Sequence, residues 1–557
     1  MTTETAKELV KRSDKLFDLQ APWLPFWQET ALQFYPQRAD FTGEIPWGSE
    51  YGTHLFDDAP VVQRRDLANT VAAMLRPRGQ VWFKPGDPDE NVMKQQGVAG
   101  WFEQAGIVQS KWMYKSRSNF VRSTKQADHD YVTFGNAVLS NEVNKTNSGL
   151  IYNSHHLRDC AWAEDSDGEV DTLHRKIKMT ARQLRQRFGE KSLHRDIKEA
   201  CEKEPEKEFN IRHLMIPNAD YEYIDGKAAK KFRKLPFVSV YLDVEHNEIL
   251  SEAGSYDFRY IVARWQPTSS PYAFSPATAD TLPGARQLQT MARTGNEALE
   301  KSIDPPSKAA EEAIRGDINL MAGGITWYDK NYDERGGPAL EVFDKLGKNA
   351  VLALQAIDAA RLRLANGTFV SKLTLQLDGR DKTAFETQKI IEEYIRGAMP
   401  VVEPWEANYS TPLLDQTFSI LLRVGAFGRV EDMPDALSGR DFEWNFINPL
   451  QETKEKVKVQ IFSTASALEK ASGDPTVANE WDKNKAFRDA IIGAGAPQDW
   501  LRDEQDAQAL HNMQGQIATL QQTIKQMSDA GKAAGTIADG AAKLGEAVTG
   551  TSNAIPS

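Results

Sequence analysis

Cysteine is nearly missing from this chain, with only Cys160 and Cys201 in 557 residues. Two thiols cannot build a disulfide framework, and no further ligands at metal spacing accompany them, so a reducing cytoplasm is the expected place of synthesis. Long apolar runs are also missing. No stretch approaches the roughly 18 residues needed to span a bilayer, and the mean hydropathy is −0.54, so no membrane partner is expected. The first ten residues are polar and lack the apolar centre of a signal peptide. Positive charge is in deficit: 79 Asp and Glu stand against 67 Lys and Arg, a formal net charge of −12. Proteins that grip nucleic acid are basic over the gripping face, because affinity comes from neutralised phosphates. The balance argues against tight DNA binding. It does not argue against a surface past which a duplex slides.

Catalytic signatures are absent as well. The sequence has no Walker-type phosphate loop, no H-E-x-x-H and no G-x-S-x-G. His155 and His156 lie near Asp159 and Cys160, but neighbours on a strand point to opposite faces, so they read as unrelated strand residues rather than a metal cluster. Thirteen tryptophans among many carboxylates raise the alternative of a carbohydrate hydrolase on an α+β scaffold, yet no spacing singles out a catalytic pair. The expectation is a non-enzyme with no catalytic residues, cofactor or metal.

What is present is a predominantly α-helical α+β chain. Residues 1–39 read as a helical hairpin broken near Pro22 and Pro25, and a further helix is expected over Pro60 to Leu75. From Ala137 the hydrophobic period shifts towards two, with Asp165-Ser166-Asp167-Gly168 as a turn between extended runs. Thr180 is placed to N-cap a short helix, Ala181 to Phe188, that Gly189 ends. Strands are expected at 211–216, 237–242 and 260–265. A long helix begins at the Thr383-Ala384-Phe385-Glu386 capping box and should be kinked by Pro400, Pro404 and Pro412. Near the C-terminus, Leu510, Met513, Ile517, Leu520, Ile524 and Met527 alternate by three and four, which predicts a helix–helix seam. Residues 529–557 are rich in Ala and Gly and should be weakly ordered.

The stretch from Pro283 to Gly367 organises the rest. Leu288, Met291, Ala292, Leu299 and Ile303 lie on one face of a helix from Gly284 to Ile303, which Asp304-Pro305-Pro306 ends. Leu346, Ala350, Ala353, Leu354, Ile357, Ala360 and Leu364 stripe a second helix from about Glu341 to Asn366. The glycine-rich insert between them, Gly316 to Pro338, reads as a strand-containing head on a two-helix stalk. Many stripe residues are alanines, so the helices can approach closely but offer too little apolar surface to stand alone.

These residues resemble one family, the portal or head-to-tail connector of tailed bacteriophages, of the short-tailed type. The resemblance rests on Leu55-Phe56-Asp57-Asp58-Ala59-Pro60, Leu75-Arg76-Pro77-Arg78-Gly79 with Trp82-Phe83, Ser118-Asn119-Phe120, Phe134-Gly135-Asn136-Ala137 and Arg264-Trp265. It continues through Asp304-Pro305-Pro306, Gly323-Gly324-Ile325-Thr326-Trp327, Thr383-Ala384 with Glu386, and Pro412-Leu413-Leu414 to Gly425, in the family's order. One departure is Tyr272-Ala273-Phe274-Ser275-Pro276, where the family usually carries a Tyr-Gly-x-Gly-Pro turn.

The resemblance implies an elongated subunit that assembles as a ring, normally of twelve copies, at one capsid vertex. Residues 1–282 would form the wing, 283–304 the first stem helix, 305–340 the clip and 341–366 the second stem helix. A channel loop would follow at 367–382, then a kinked wing helix and return at 383–445, a helical crown at 446–528 and the tail at 529–557. Double-stranded DNA would pass without sequence specificity, driven in by a separate terminase large subunit and later ejected. The tail adaptor, the major capsid protein and the scaffolding protein are the implied partners. Stem packing falls to Leu288, Met291, Leu299, Leu346, Leu354, Ile357 and Leu364, and Lys372, Arg380 and Lys382 are the candidates for phosphate contact in the channel. The implied location is the virion, after assembly in the host cytoplasm.

Overall fold

A computed structural model of the chain describes residues 3–46, 48–93, 95, 97–144, 148–225, 232, 234–303, 307–309, 329, 340–342, 350–369, 373, 384–429, 433–437, 439–440, 442–447, 449–472, 481–494 and 513. The chain divides into two compact units, Met1–Gln451 and Glu452–Ser557.

The first unit opens with helices α1 (Thr3–Gln20), α2 (Trp23–Phe34) and α3 (Ala59–Leu75). The hairpin is broken at Ala21–Pro22, as expected, whereas Pro25 interrupts nothing. Pro22 is the N-cap of α2, and Pro25 lies in its first turn, where a missing N–H costs nothing. Next come β1 (Phe83–Gly86), α4 (Glu90–Met93), α5 (Val98–Met113) and α6 (Phe120–Phe134). Strands β2 (Asn136–Val143), β3 (Leu150–His155), β4 (Cys160–Glu164) and β5 (Val170–Thr180) follow. Helix α7 (Ala181–Phe188) is held by a capping box between Thr180 and Gln183 and ends at Gly189. It leads into α8 (Arg195–Lys203), β6 (Glu208–Pro217), α9 (Asn218–Asp225), β7 (Phe237–Asp243), β8 (Glu248–Ser255) and β9 (Tyr260–Arg264). Strands β4 to β8 form an antiparallel sheet in sequential order, and β3, β2 and β9 form another with β2 in the centre.

Three consecutive residues of α6 explain how these parts are tied. Successive helix positions point about 100° apart, so neighbours reach different elements. Asp128 pairs with Arg76, which follows α3. His129 Nδ1 accepts from Arg64 of α3 at 2.7 Å. Asp130 takes Arg38 in a fork of 3.2 and 2.7 Å. Burial works against the charge on Arg76, but the Asp128 carboxylate and the Tyr409 hydroxyl more than reverse this and hold its pKa up. The main core closes around these pairs, with Trp82, Tyr131, Trp405 and Tyr409 among its buried members.

Gly135 shows why a glycine stands after α6. Its φ is +73°, and a Cβ there would lie 2.3 Å from the Phe274 carbonyl carbon and 2.5 Å from the Ser275 nitrogen. The next residue, Asn136, bonds the same segment through Ala273 O at 2.7 Å and Ala273 N at 2.9 Å. The segment that departs from the family's usual turn is therefore docked on Phe134-Gly135-Asn136. It pairs there as β10 (Gln266–Pro267) with β11 (Ala273–Phe274).

The chain continues through α10 (Leu282–Ile303), β12 (Ser307–Ala309), β13 (Leu340–Val342), α11 (Ala350–Gly367), α12 (Ala384–Trp405) and α13 (Thr411–Val424). Pro400 and Pro404 lie inside α12, a π-helical turn, Glu406–Ser410, follows it, and Pro412 sits in the first turn of α13. Strand β14 (Glu443–Phe446) then returns to pair with β1. Helix α14 (Pro449–Ser472) crosses the boundary between the units. In the second unit α15 (Lys483–Gly493) meets α14 through Phe462 and Phe487, with ring centroids 5.7 Å apart. The expected seam at 510–527 lies outside the described residues except for Met513, and the tail at 529–557 lies wholly outside them.

Candidate functional site

The candidate site is the α10–α11 pair. Its seam is formed by Leu282, Ala285 and Leu288 of α10 against Ile357, Ala360 and Leu364 of α11, closed at one end by Phe34 of α2. The small residues set the distance between the helices. A Cβ on Gly295 would come within 2.9 Å of Ile357 Cδ1, so that glycine, which costs about 1 kcal/mol inside a helix, is where the axes come close.

Both helices are fastened to the N-terminal region through Asp57. Its carboxylate is buried, accepting from Ala59 N at 2.9 Å and from Arg361 Nε of α11 at 2.9 Å. Its main chain is held by Gln289 of α10, whose amide oxygen accepts from Phe56 N at 2.7 Å and Asp57 N at 3.0 Å. The Gln289 amide nitrogen donates to Asp57 O at 2.8 Å. The bond to Asp57 raises the pKa of Arg361 further above the ordinary arginine value. Arg286 of α10 adds an exposed pair with Glu29 of α2, which contributes little on its own. Asp57 and Ala59 belong to the Leu55-to-Pro60 motif, so that motif is the hinge plate of the pair. Sequence reasoning noted the motif but not its partners, because nothing local links position 57 to 289 or 361.

The predicted packing residues are distributed unevenly. Leu288, Ile357 and Leu364 are buried in the seam, and Met291 packs against it half-buried. Leu299 is half-buried. Leu354 is not in the seam. It is 43% exposed, together with Val351 at 63%, Leu352 at 66% and Leu362 at 67%. Helix α11 thus carries, away from the seam, apolar side chains that stay exposed among the described residues. Leu346, Lys372, Arg380 and Lys382 lie outside the described residues. Where helix was expected from Glu341, residues Leu340–Val342 are a strand, antiparallel to Ser307–Ala309 with Lys308 opposite Glu341. The pairing partner is supplied from beyond the insert, so it overrides local helix propensity. The predicted head from Gly316 to Pro338 lies outside the described residues apart from Asp329.

His155 and His156 serve different neighbours. His155 Nε2 lies 2.8 Å from Ser140 Oγ and 3.0 Å from Arg175, whereas His156 Nε2 lies 2.6 Å from Asp40.

Comparison with known proteins then places the chain. The family described as "Bacteriophage head to tail connecting protein" matches residues 6–501. The chain is 23% identical over 569 aligned positions to the "Portal protein" of Salmonella phage epsilon15, covering 99% of both chains. It is 23% identical over 462 positions to the "Probable portal protein" of Bordetella phage BPP-1, covering 81% of this chain and 80% of the relative. None of these matches supports the carbohydrate-hydrolase alternative.

Proposed function

The chain belongs to the family of bacteriophage head to tail connecting proteins, and from that membership we propose that copies of it close into a ring at one vertex of a viral capsid. The α10–α11 pairs stand side by side around an axial bore, through which double-stranded DNA is packaged and later ejected. The ring holds twelve copies, with residues 1–282 and 383–445 as wing, 305–340 as clip and 446–528 as crown. The clip meets the terminase large subunit during packaging and the tail adaptor afterwards, and the wing meets capsid and scaffolding proteins. The protein acts as a structural conduit in the virion and carries out no reaction itself.

One observation carries this reading. Val351, Leu352, Leu354 and Leu362 are bare on a helix whose other face is already sealed. Apolar side chains left exposed beside Gln355, Asp358 and Arg363 are stabilised by cover, and a rotationally repeated copy supplies it with the same surfaces each time. Charge supports the conduit over a clamp. Twelve copies at −12 each carry roughly −144, which repels phosphate and lets a duplex slide. The loop at 367–382, with Lys372, Arg380 and Lys382, offers the bore a few transient phosphate contacts. Mass photometry of the purified protein tests the proposal. A species near twelve times 62.4 kDa is expected, with images showing a ring with a hole, and a monodisperse monomer or trimer would reject it.

A further inference from the structure

At the outer end of the β7–β8 hairpin, three side chains from two elements converge. His194 is the N-cap of α8, Asp196 lies in the first turn of the same helix, and His246 sits in the turn between β7 and β8. One ligand-type atom from each lies within 4.8 Å of the others. His246 Nε2 is 3.3 Å from Asp196 Oδ2, and His194 Nδ1 is 3.7 Å from that same oxygen. Ligands about 2.0–2.1 Å from a tetrahedral zinc ion are separated by about 3.3 Å, so these spacings are close to those of a metal shell.

The hairpin also contains the supporting group that such a shell needs. Asp243 is the last residue of β7 and its side chain is fully buried. Its Oδ1 accepts from Glu245 N at 3.0 Å, fixing the turn. Its Oδ2 lies 2.6 Å from His246 Nδ1. A carboxylate only accepts, so Nδ1 donates to Asp243; Nε2 faces the Asp196 carboxylate and donates to it when protonated, a proton that a bound ion would displace. A carboxylate behind a histidine in this manner fixes the tautomer and strengthens the imidazole as a ligand. The His194 and His246 rings lie nearly parallel, with centroids 3.9 Å apart. Asp196 is largely exposed, which opens the cluster to solvent.

We propose that His194, Asp196 and His246 bind a divalent transition-metal ion of the zinc class, with Asp243 positioning His246 and water completing the shell. Two imidazoles and one carboxylate select zinc-like ions over magnesium or calcium, which prefer all-oxygen shells. Binding requires the half-exposed His194 ring to tilt off the His246 face and its Nδ1 to release the bond it accepts from Asp196 N at 3.3 Å. The ion would then tie α8 to the β7–β8 hairpin above a small core that includes Ile197, Cys201, Tyr241 and Leu250.

The test is titration of the full-length protein with zinc chloride by calorimetry, followed by zinc-edge X-ray absorption. One ion per chain is expected, with a nitrogen and oxygen shell containing imidazole. His246→Ala and Asp196→Asn should each weaken binding at least tenfold. Asp243→Asn should weaken it about 10- to 100-fold while leaving the ligands in place. Circular dichroism establishes that each variant is folded, and His194→Gln repeats the test if an alanine variant is not. Affinity in a folded His194→Gln/His246→Gln double variant within twofold of the parent would overturn the assignment. So would sulfur in the shell, which would point to Cys160 or Cys201, or equal affinity for magnesium.

Discussion

Replacing Asp57 with Ala separates the two fastenings of the helix pair. The substitution removes the carboxylate that holds Arg361 and Ala59, but keeps the main-chain atoms that Gln289 grips. The bond to Arg361 is charge-assisted, at about 1.5–3 kcal/mol, and Ala59 N–H loses its acceptor at about 1–3 kcal/mol. The Arg361 side chain is 49% exposed and can return to water, so its share is discounted. The discounted Arg361 bond, about 1 kcal/mol, falls on α11 rather than α10, and the lost Ala59 acceptor falls on the start of α3. Native-state hydrogen exchange followed by mass spectrometry reads this directly. Peptides covering 350–367 should exchange about fivefold faster, while those covering 282–303 change little. Gln289→Ala should produce the opposite pattern. Equal acceleration of both helices, or none, would refute the idea that the pair is fastened through Asp57.

Four further outcomes are expected. Leu354→Asp should abolish ring formation in mass photometry while leaving a soluble, folded subunit, since the residue is already exposed on the single chain; normal rings would remove it from the assembly surface. Lys372→Ala with Lys382→Ala should leave ring size unchanged and alter DNA packaging or retention, and unchanged packaging would dismiss the loop from the bore. Gly135→Ala places a side chain at φ +73° against the 274–275 main chain, which should cost about 2–5 kcal/mol in urea unfolding, and a loss under 1 kcal/mol would contradict the close approach. Burial and Arg64 hold His129 at about 4, and burial and Arg212 hold His174 at about 3, both below the usual 6.5. The unfolded chain therefore takes up these protons first, so the stability from keeping the rings neutral is present above pH 6.5 and lost as pH falls through 6.5 towards 3. His129→Gln should flatten the decline in urea midpoint between pH 6.5 and 5, and an unchanged slope would show that His129 does not contribute.

Local chemistry was legible wherever the residues carried their own instructions. Thr180, Gln183 and Gly189 fix α7 within three turns of chain, and its observed limits are those expected. Asp165 and Gly168 fix the β4–β5 turn in the same way, with Asp165 Oδ1 accepting from Asp167 N at 2.8 Å and Gly168 at φ +85°. Elements defined by distant partners were not legible. Strand β8, Glu-Ile-Leu-Ser-Glu-Ala-Gly-Ser, has little β character of its own and exists because β7 offers it an edge. Strand β13 owes its existence to Ser307–Ala309 in the same way. The candidate site divides along this line. Its apolar stripe was visible in the three- and four-residue spacing. Asp57 was visible only as part of a motif, because the residues that give it meaning lie more than two hundred positions further on. The histidine pair that attracted attention, at 155 and 156, is not the pair that converges with a carboxylate. His194 and His246 are brought together by the hairpin, and only Asp196, two residues from His194, gave a local sign.

The pairing of β1 with β14 has a consequence for biosynthesis. Phe83 emerges from the ribosome long before Phe446, its partner across the strands. Until that last strand arrives, Trp82 and Phe83 are covered by α5 and Tyr114 but lack the Trp444 and Phe446 rings that pack on them in the folded chain. Folding of the unit is thereby delayed to a late event dominated by distant contacts, which is slow and prone to aggregation. Shortened chains ending before Glu443 should therefore depend on chaperones to stay soluble.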